Sequence, residues 1–222
     1  MKATRLTNLI SILIFTGYSL FIVLSGEANL FFIIYLYFLD EVIKNIFLTI
    51  KSIRLKALSQ GMQAVNNALK TRFFMLFIYS VFIIFVFGLF YGLTNSTREE
   101  FIRNVMIFKF RDLYFNISIS IIVVRECINL FIDFKNAKQD NNFQLEGMNN
   151  GMMVLHLSIL FGAVIWFLTS GKFEYFHLSF GAYDRVAIIF PFLLIKFLFD
   201  LNSILRQRRA NIISIDVKGK NG

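Results

Sequence analysis

Six long apolar stretches alternate with polar connections along the chain. They lie near residues 8–25, 29–50, 73–93, 113–134, 150–169 and 185–205. At about 1.5 Å per helical residue, each can cross the roughly 30 Å hydrocarbon core of a bilayer. Backbone amides in lipid must bond within their own segment, which favours helices. The pattern therefore predicts an all-α transmembrane bundle of about six spans.

The connections show a second, weaker pattern. Residues 51–72 carry apolar side chains at alternating spacings of three and four, which predicts an amphipathic helix. Such a helix would lie on the membrane or under the bundle, or else bind a partner. From Ala210 onward the chain is polar. We expect a transmembrane domain over residues 1–209 and a short cytoplasmic tail over residues 210–222.

The first segment has two interpretations. Lys2 and Arg5 before an apolar run could form a signal peptide that is cleaved. We favour a retained helix, because the run exceeds the roughly 7 to 15 apolar residues of a signal peptide and the next segment follows after a tight turn.

Composition argues against a soluble domain. Of 222 residues, 57% are hydrophobic and only 17% are charged, whereas soluble domains are about 45–50% apolar and about 25% charged. One cysteine allows no intramolecular disulfide, and two histidines form no zinc-type cluster. We therefore expect no metal site and no cofactor.

The net charge of +9 is distributed unevenly over the connections. One side would hold Lys2, Arg5, Lys51, Arg54, Lys56, Lys70, Arg72, Lys135, Lys138, Arg206, Arg208, Arg209, Lys218 and Lys220; the other would hold Arg98, Arg103, Lys109, Arg111, Lys172 and Arg185. Basic residues beside apolar segments indicate lipid headgroups rather than nucleic acid as the partner. The positive-inside rule places both termini in the cytoplasm.

Three of the six segments carry charges near their middle, where each would cost about 2.5–3.5 kcal/mol if it faced lipid. They are Asp40, Glu41 and Lys44 in segment two, Arg125 and Glu126 in segment four, and Lys196 and Asp200 in segment six. These charges should face one another inside the bundle. We expect segments two, four and six to line a charged interior, with one, three and five nearer the lipid.

A shared spacing predicts how these charges meet. In each of the three segments, three polar or charged residues are separated by four and then by six positions. The three sets are Glu41, Asn45, Lys51; Arg125, Asn129, Lys135; and Lys196, Asp200, Arg206. Glu41, Arg125 and Lys196 should therefore lie at one depth. One-turn spacing predicts the pairs Asp40 with Lys44 and Lys196 with Asp200, leaving Glu41 or Glu126 to meet Arg125.

Two functions follow from a charged interior. It could pass or sense an ion, protons or a small polar solute, or it could fix helix packing in a structural membrane subunit that could form an oligomer. His156 in segment five could relay protons or serve packing. No nucleophile motif or phosphate loop indicates catalytic residues, so a membrane enzyme ranks third.

These same residues carry a family resemblance. The aromatic, leucine and acid run of residues 36–40, the valine, leucine and histidine run of residues 154–159, and Lys196 followed by Asp200 are similar to segments of an uncharacterised prokaryotic family of polytopic membrane proteins, a domain of unknown function. The resemblance implies a multi-pass protein of the prokaryotic cytoplasmic membrane. It implies no activity.

The chain also departs from that family pattern. The resemblance implies histidines in segment three, but none occurs between Phe73 and Phe90, and Arg125 with Glu126 stands where a serine-histidine pair is expected. A shared histidine metal site is therefore not expected in this chain.

Overall fold

The computed structural model describes residues 2–55, 62–90, 98–136, 149–169 and 189–202. Its helices are α1 (Lys2–Leu24), α2 (Leu30–Leu55), α3 (Met62–Phe82), a π-helical stretch (Ile83–Phe90), α4 (Arg98–Phe108), α5 (Leu113–Asn136), α6 (Asn150–Thr169) and the described part of α7, residues 189–202. Within these ranges the chain is all-α, which confirms that prediction. The predicted tail, 210–222, lies outside the described residues.

Two connections differ from the sequence prediction. Residues 51–55 belong to α2, and α3 begins at Met62 and continues without a break into the third apolar segment. Residues 51–55 and 62–72 therefore extend two long helices, and the middle of the predicted amphipathic helix, residues 56–61, lies outside the described residues. Helix α4 was not predicted, although Glu99 in its first turn is a favourable helix-start signal.

Tight turns at one end of the bundle are built from local signals. Gly26 adopts a φ of 76° after α1, and Glu27 N–H donates to the Ile22 carbonyl at 3.0 Å, which is a Schellman-type helix end. The Asn29 side chain then accepts a bond from Phe32 N–H at 2.8 Å and caps α2. The chain consequently reverses direction within a few residues.

The turn between α4 and α5 repeats this arrangement. Phe110 takes the left-handed position with a φ of 57°, a conformation that glycine adopts at lower cost. The Asp112 carboxylate accepts from Phe115 N–H at 2.8 Å and caps α5. Both turns lie at the same end of the bundle, where the side-chain amide of Asn29 donates to the side-chain oxygen of Asn104 at 2.6 Å.

Helix α2 occupies the centre of the bundle. It packs against α3, α5 and α6, and every residue from Leu30 to Tyr37 is buried. A helix that is apolar on all sides must be surrounded by others. This explains why the charges that follow, Asp40 and Glu41, are also buried.

Helices α2, α5 and α7 run in the same direction. Phe32 of α2 contacts Phe115 of α5, Asp40 contacts Arg125, and Lys51 contacts Asp133. Along α7, Phe192 accepts from Tyr37 and Lys196 contacts Asp40. Because the contact positions on all three helices increase together, the three charged helices are parallel.

The outer surface of the bundle is apolar. Large exposed side chains occur on α1, α3 and α5, among them Leu13, Ile14, Phe21, Phe74, Phe77, Leu113, Val124 and Phe131. Phe77 is 66% exposed and Phe131 is 73% exposed. Apolar patches of this extent are unusual on a soluble monomer.

Among the residues that the structure describes, two helical stretches are long and apolar enough to cross a membrane: Val65–Val86 and Phe101–Lys135, the second interrupted by the turn at 109–112. Leu9–Leu24 and Asn150–Val164 are apolar but shorter. The central helix α2 is long but carries three charged residues near its middle, Asp40, Glu41 and Lys44.

A candidate site: the charge cluster around Asp40

Asp40 lies at the centre of a cluster of ion pairs drawn from three helices. Its carboxylate contacts Lys44 Nζ at 2.9 Å, Arg125 at 2.5 Å and Lys196 Nζ at 3.1 Å. The Asp40 side chain is fully buried, with 0% exposure. A buried carboxylate is tolerated only when it is paired and hydrogen-bonded, and here three cations share that role.

Each of the three cations also binds an outer carboxylate on its own helix. Lys44 contacts Glu41 at 2.8 Å on α2, Arg125 contacts Glu126 at 2.8 Å on α5, and Lys196 contacts Asp200 at 2.7 Å on α7. We call these seven residues the Asp40 cluster. It has three arms, each a cation with its own acid.

The Asp40 cluster contains four acids and three bases. With all seven groups ionised, the formal charge is therefore one negative unit. A net charge in a low-dielectric interior is costly, so a bound proton or monovalent cation would bring these seven groups to neutrality. These seven groups alone therefore leave one negative unit for their surroundings to compensate.

The aromatic neighbours of Lys196 shield that arm. Its Nζ lies 5.9 Å from the Phe15 ring centroid and 6.0 Å from that of Tyr37, within the range of cation–π attraction. Phe15 belongs to α1, so the first helix also contacts the charged interior. This contact was not predicted for segment one.

Glu41 lies against the beginning of α6. Asn149 donates to its carboxylate at 3.1 Å and, through its own oxygen, accepts from Met152 N–H at 2.8 Å as the cap of α6. The positive end of the α6 dipole thereby faces the carboxylate. A Cβ built on Gly151 would overlap the Glu41 carboxylate, so a larger residue here would require that side chain to move.

A pocket of about 230 Å³ leads to the Asp40 cluster between the second halves of α2 and α5. Its lining residues are Lys44, Phe47, Leu48, Lys51, Glu126, Asn129, Leu130, Asp133 and Asn149. Lys44 and Glu126 belong to the cluster, and Asn149 bonds Glu41. The pocket therefore reaches two of the three arms from one end of the bundle.

Lys51 and Asp133 pair across this pocket at 2.6 Å, two helical turns beyond Lys44 and Glu126. Arg54 lies nearby, 4.4 Å above the Phe134 ring. The Lys51 and Asp133 side chains are partly exposed, so they form the outer end of the pocket. The side-chain oxygens (Oδ1) of Asn45 and Asn129, each one turn from the cluster, are buried without a hydrogen-bond partner in the described chain.

His156 lies apart from the Asp40 cluster. Its Nδ1 is 3.3 Å from the Tyr79 hydroxyl, and it is exposed on α6. None of the described contacts of His156 includes a cluster residue. Its predicted roles, proton relay or packing, therefore involve Tyr79 and α3.

The structure brings all seven of the charged residues singled out in the sequence into one cluster. The pairs Asp40 with Lys44 and Lys196 with Asp200 form as one-turn spacing predicts. Arg125 meets Glu126, one of its two predicted partners, and it also pairs with Asp40 on α2, which was not predicted.

Three contributors were missed: Asp133, Asn149 and Gly151. Asp133 follows Glu126 by the same seven residues that separate Lys51 from Lys44, a spacing that could have linked the two helices. Asn149 before an apolar run is a helix-cap signal. Nothing in the local sequence indicates that Gly151 faces Glu41, because that approach depends on packing.

The described residues contain no group of three or more histidine, cysteine, aspartate or glutamate side chains arranged to hold a metal ion. The acids of the Asp40 cluster are instead separated by bases. The arrangement suits charge compensation, proton binding or recognition of a polar solute.

Fold and site together define a helical protein with an apolar exterior and a buried, paired charge cluster. The family of unknown function DUF6498 matches residues 2–213. The chain belongs to this family. No curated protein and no solved structure matches the chain.

Proposed function

We propose that the chain is a multi-pass integral membrane protein whose charged interior passes or senses a small ion, protons or a polar solute. The observation that carries this proposal is an inversion of the usual burial pattern. Asp40 and Glu41 are buried while Phe74 and Phe77 are exposed. Lipid, and not water, favours that distribution.

The helix lengths support several spans. Helices α1, α2, α5 and α6 contain 23, 26, 24 and 20 residues, and about 20 are needed to cross hydrocarbon. Phe15, Ser19 and Ile22 form a buried stripe on α1, which supports a retained first helix over a cleaved signal peptide.

The orientation of the chain in the membrane is inferred from the charged residues near the two ends of α2. Glu27 pairs with Arg103 at one end and Lys51 pairs with Asp133 at the other. The basic connections cluster on the Lys51 side, so the positive-inside rule makes that side cytoplasmic. The pocket then opens toward the cytoplasm. A prokaryotic cytoplasmic membrane is the setting that the family resemblance implies.

The pocket favours passage or sensing over a purely structural role. A cluster that served packing alone would need no polar approach, yet the pocket reaches Lys44 and Glu126.

The alternative is a structural membrane subunit. It is favoured by the complete pairing of all seven charges within the Asp40 cluster, since buried polar contacts also fix helix packing. In that case the chain would associate with a second copy or another membrane protein through its exposed apolar faces.

Flux in proteoliposomes separates these two functions. The full chain is reconstituted, and proton, sodium and potassium fluxes are measured under imposed gradients with ion-sensitive dyes. We expect flux above that of protein-free liposomes, and a reduction of about tenfold or more in Glu126→Gln, which removes one charge from the pocket at nearly constant shape.

Glu27→Gln is the matched control, because it removes one acid from an ion pair outside the Asp40 cluster and should leave the flux unchanged. If the parent chain carries no flux of any of these ions and no solute alters its stability, the structural-subunit alternative is correct.

A further inference from the structure

The pocket beside the Asp40 cluster has a two-sided charge pattern. Its bases, Lys44 and Lys51, lie on α2, and its acids, Glu126 and Asp133, lie on α5. Each pair is separated by seven residues, about two turns or roughly 10 Å along a helix. Because α2 and α5 are parallel, bases on α2 face acids on α5 at both ends of the pocket, and at the outer end Lys51 and Asp133 are paired at 2.6 Å.

The inner end of the pocket retains hydrogen-bonding capacity. Lys44 has three N–H donors, and the described contacts use two of them, to Asp40 and Glu41. Both bonds from Arg125 to Glu126 end on Oε1; Oε2 has no partner in the described chain. A donor and an acceptor of opposite charge are thus presented together.

The space between the two helices is partly apolar. Phe47, Leu48 and Leu130 line it between the inner and outer charges. A ligand that fills the pocket must therefore offer both charges at one end and an apolar body beside them.

The net charge of the residues that line the pocket further restricts which ligands can bind there. The two bases and two acids that line the pocket carry no net charge between them. A ligand with a net charge would bring an uncompensated charge into a partly buried space, whereas a dipolar one would not. A ligand carrying one charge of each sign is complementary to this arrangement.

We propose that this pocket binds a small zwitterion with an apolar side chain, chemically an aliphatic α-amino acid. Its carboxylate contacts Lys44, its ammonium contacts Glu126, and its side chain packs on Phe47 and Leu130. The inference rests on the proposed function and specifies the solute that enters from the Lys51 end.

The test measures binding to the full chain in lipid nanodiscs by isothermal titration calorimetry. The probes are leucine, leucinamide, which lacks the carboxylate, and N-acetylleucine, which lacks the ammonium. Leucine should bind about tenfold or more tightly than either analogue, because each lacks one charge-assisted hydrogen bond.

Two variants test which residue binds each charged group of leucine. Glu126→Gln should reduce the preference for leucine over N-acetylleucine, and Lys44→Gln should reduce the preference for leucine over leucinamide. A role in folding alone would lower all three affinities together. Glu27→Gln should leave every affinity unchanged.

Equal affinity for the three probes, or no binding of any while ion flux persists in proteoliposomes, would overturn the zwitterion proposal and leave the proposed function standing. Absence of both binding and flux would overturn both. Parallel loss of all three affinities in both variants would also contradict the assigned contacts.

Discussion

At the scale of single residues, Gly151 controls how closely α6 approaches Glu41. Gly151→Ala would place a methyl group within the space of the Glu41 carboxylate, and we expect it to lower the free energy of unfolding by about 1–3 kcal/mol. Gly17→Ala is the control, because no atom lies near its added methyl and alanine favours a helix.

Unfolding in mixed micelles measures both changes. In a Glu41→Ala background, Gly151→Ala should cost less, because the overlapping group is gone. If Gly151→Ala is as benign as Gly17→Ala in the parent chain, Glu41 does not lie against α6.

Asp40 is the residue on which the three arms depend. Asp40→Asn leaves Lys44, Arg125 and Lys196 without their shared carboxylate, and removing one partner of a buried ion pair costs about 3–5 kcal/mol. Glu27→Gln, at a partly exposed pair, should cost less than about 1 kcal/mol. Equal costs in the same unfolding assay would show that Asp40 is not the centre of the cluster.

At the scale of elements, the beginning of α6 has two tasks. Asn149 caps the helix and also binds Glu41. Asn149→Ser keeps a capping oxygen but loses the Glu41 bond, and should cost about 1.5–3 kcal/mol. Asp112→Ser keeps the cap of α5, where no cluster contact is lost, and should be nearly neutral. If both variants are equally stable, the hydrogen bond from Asn149 to Glu41 does not stabilise the fold.

Local patterns predicted much of this arrangement, and packing decided the rest. Apolar runs place most described helices, and charges in the middle of apolar segments identify the Asp40 cluster, since their cost in lipid is set by residue type. The partner of Arg125 and the position of Gly151 depend on how helices distant in sequence approach one another. Periodicity along one helix carries no such information.

The short helix α4 shows a further limit. Its residues mix charges with aromatic side chains, so no apolar run marks it, and its described contacts are made to α2 and the π-helical stretch. Favourable end signals such as Glu99 are common in loops too. The sequence therefore indicated an interfacial connection without indicating that it is helical.

At the scale of the whole molecule, the account depends on the apolar exterior lying in lipid. Cys127 reports on this surface, because it is the single cysteine of the chain and is exposed on α5. The exposed residues Val124, Ile128 and Phe131 lie on the same face. A thiol in that stripe would be shielded from water by acyl chains.

The decisive measurement is the reaction rate of Cys127 with a charged, membrane-impermeant methanethiosulfonate in sealed proteoliposomes, with N-ethylmaleimide as the lipid-soluble reference. Cys127→Ser with Lys109→Cys serves as the water-exposed control, since Lys109 lies in an exposed turn. The account predicts that the charged reagent modifies Cys127 at least about a hundredfold more slowly than the control, because thiolate formation requires water. Equal rates would place the apolar exterior in water and contradict the membrane assignment.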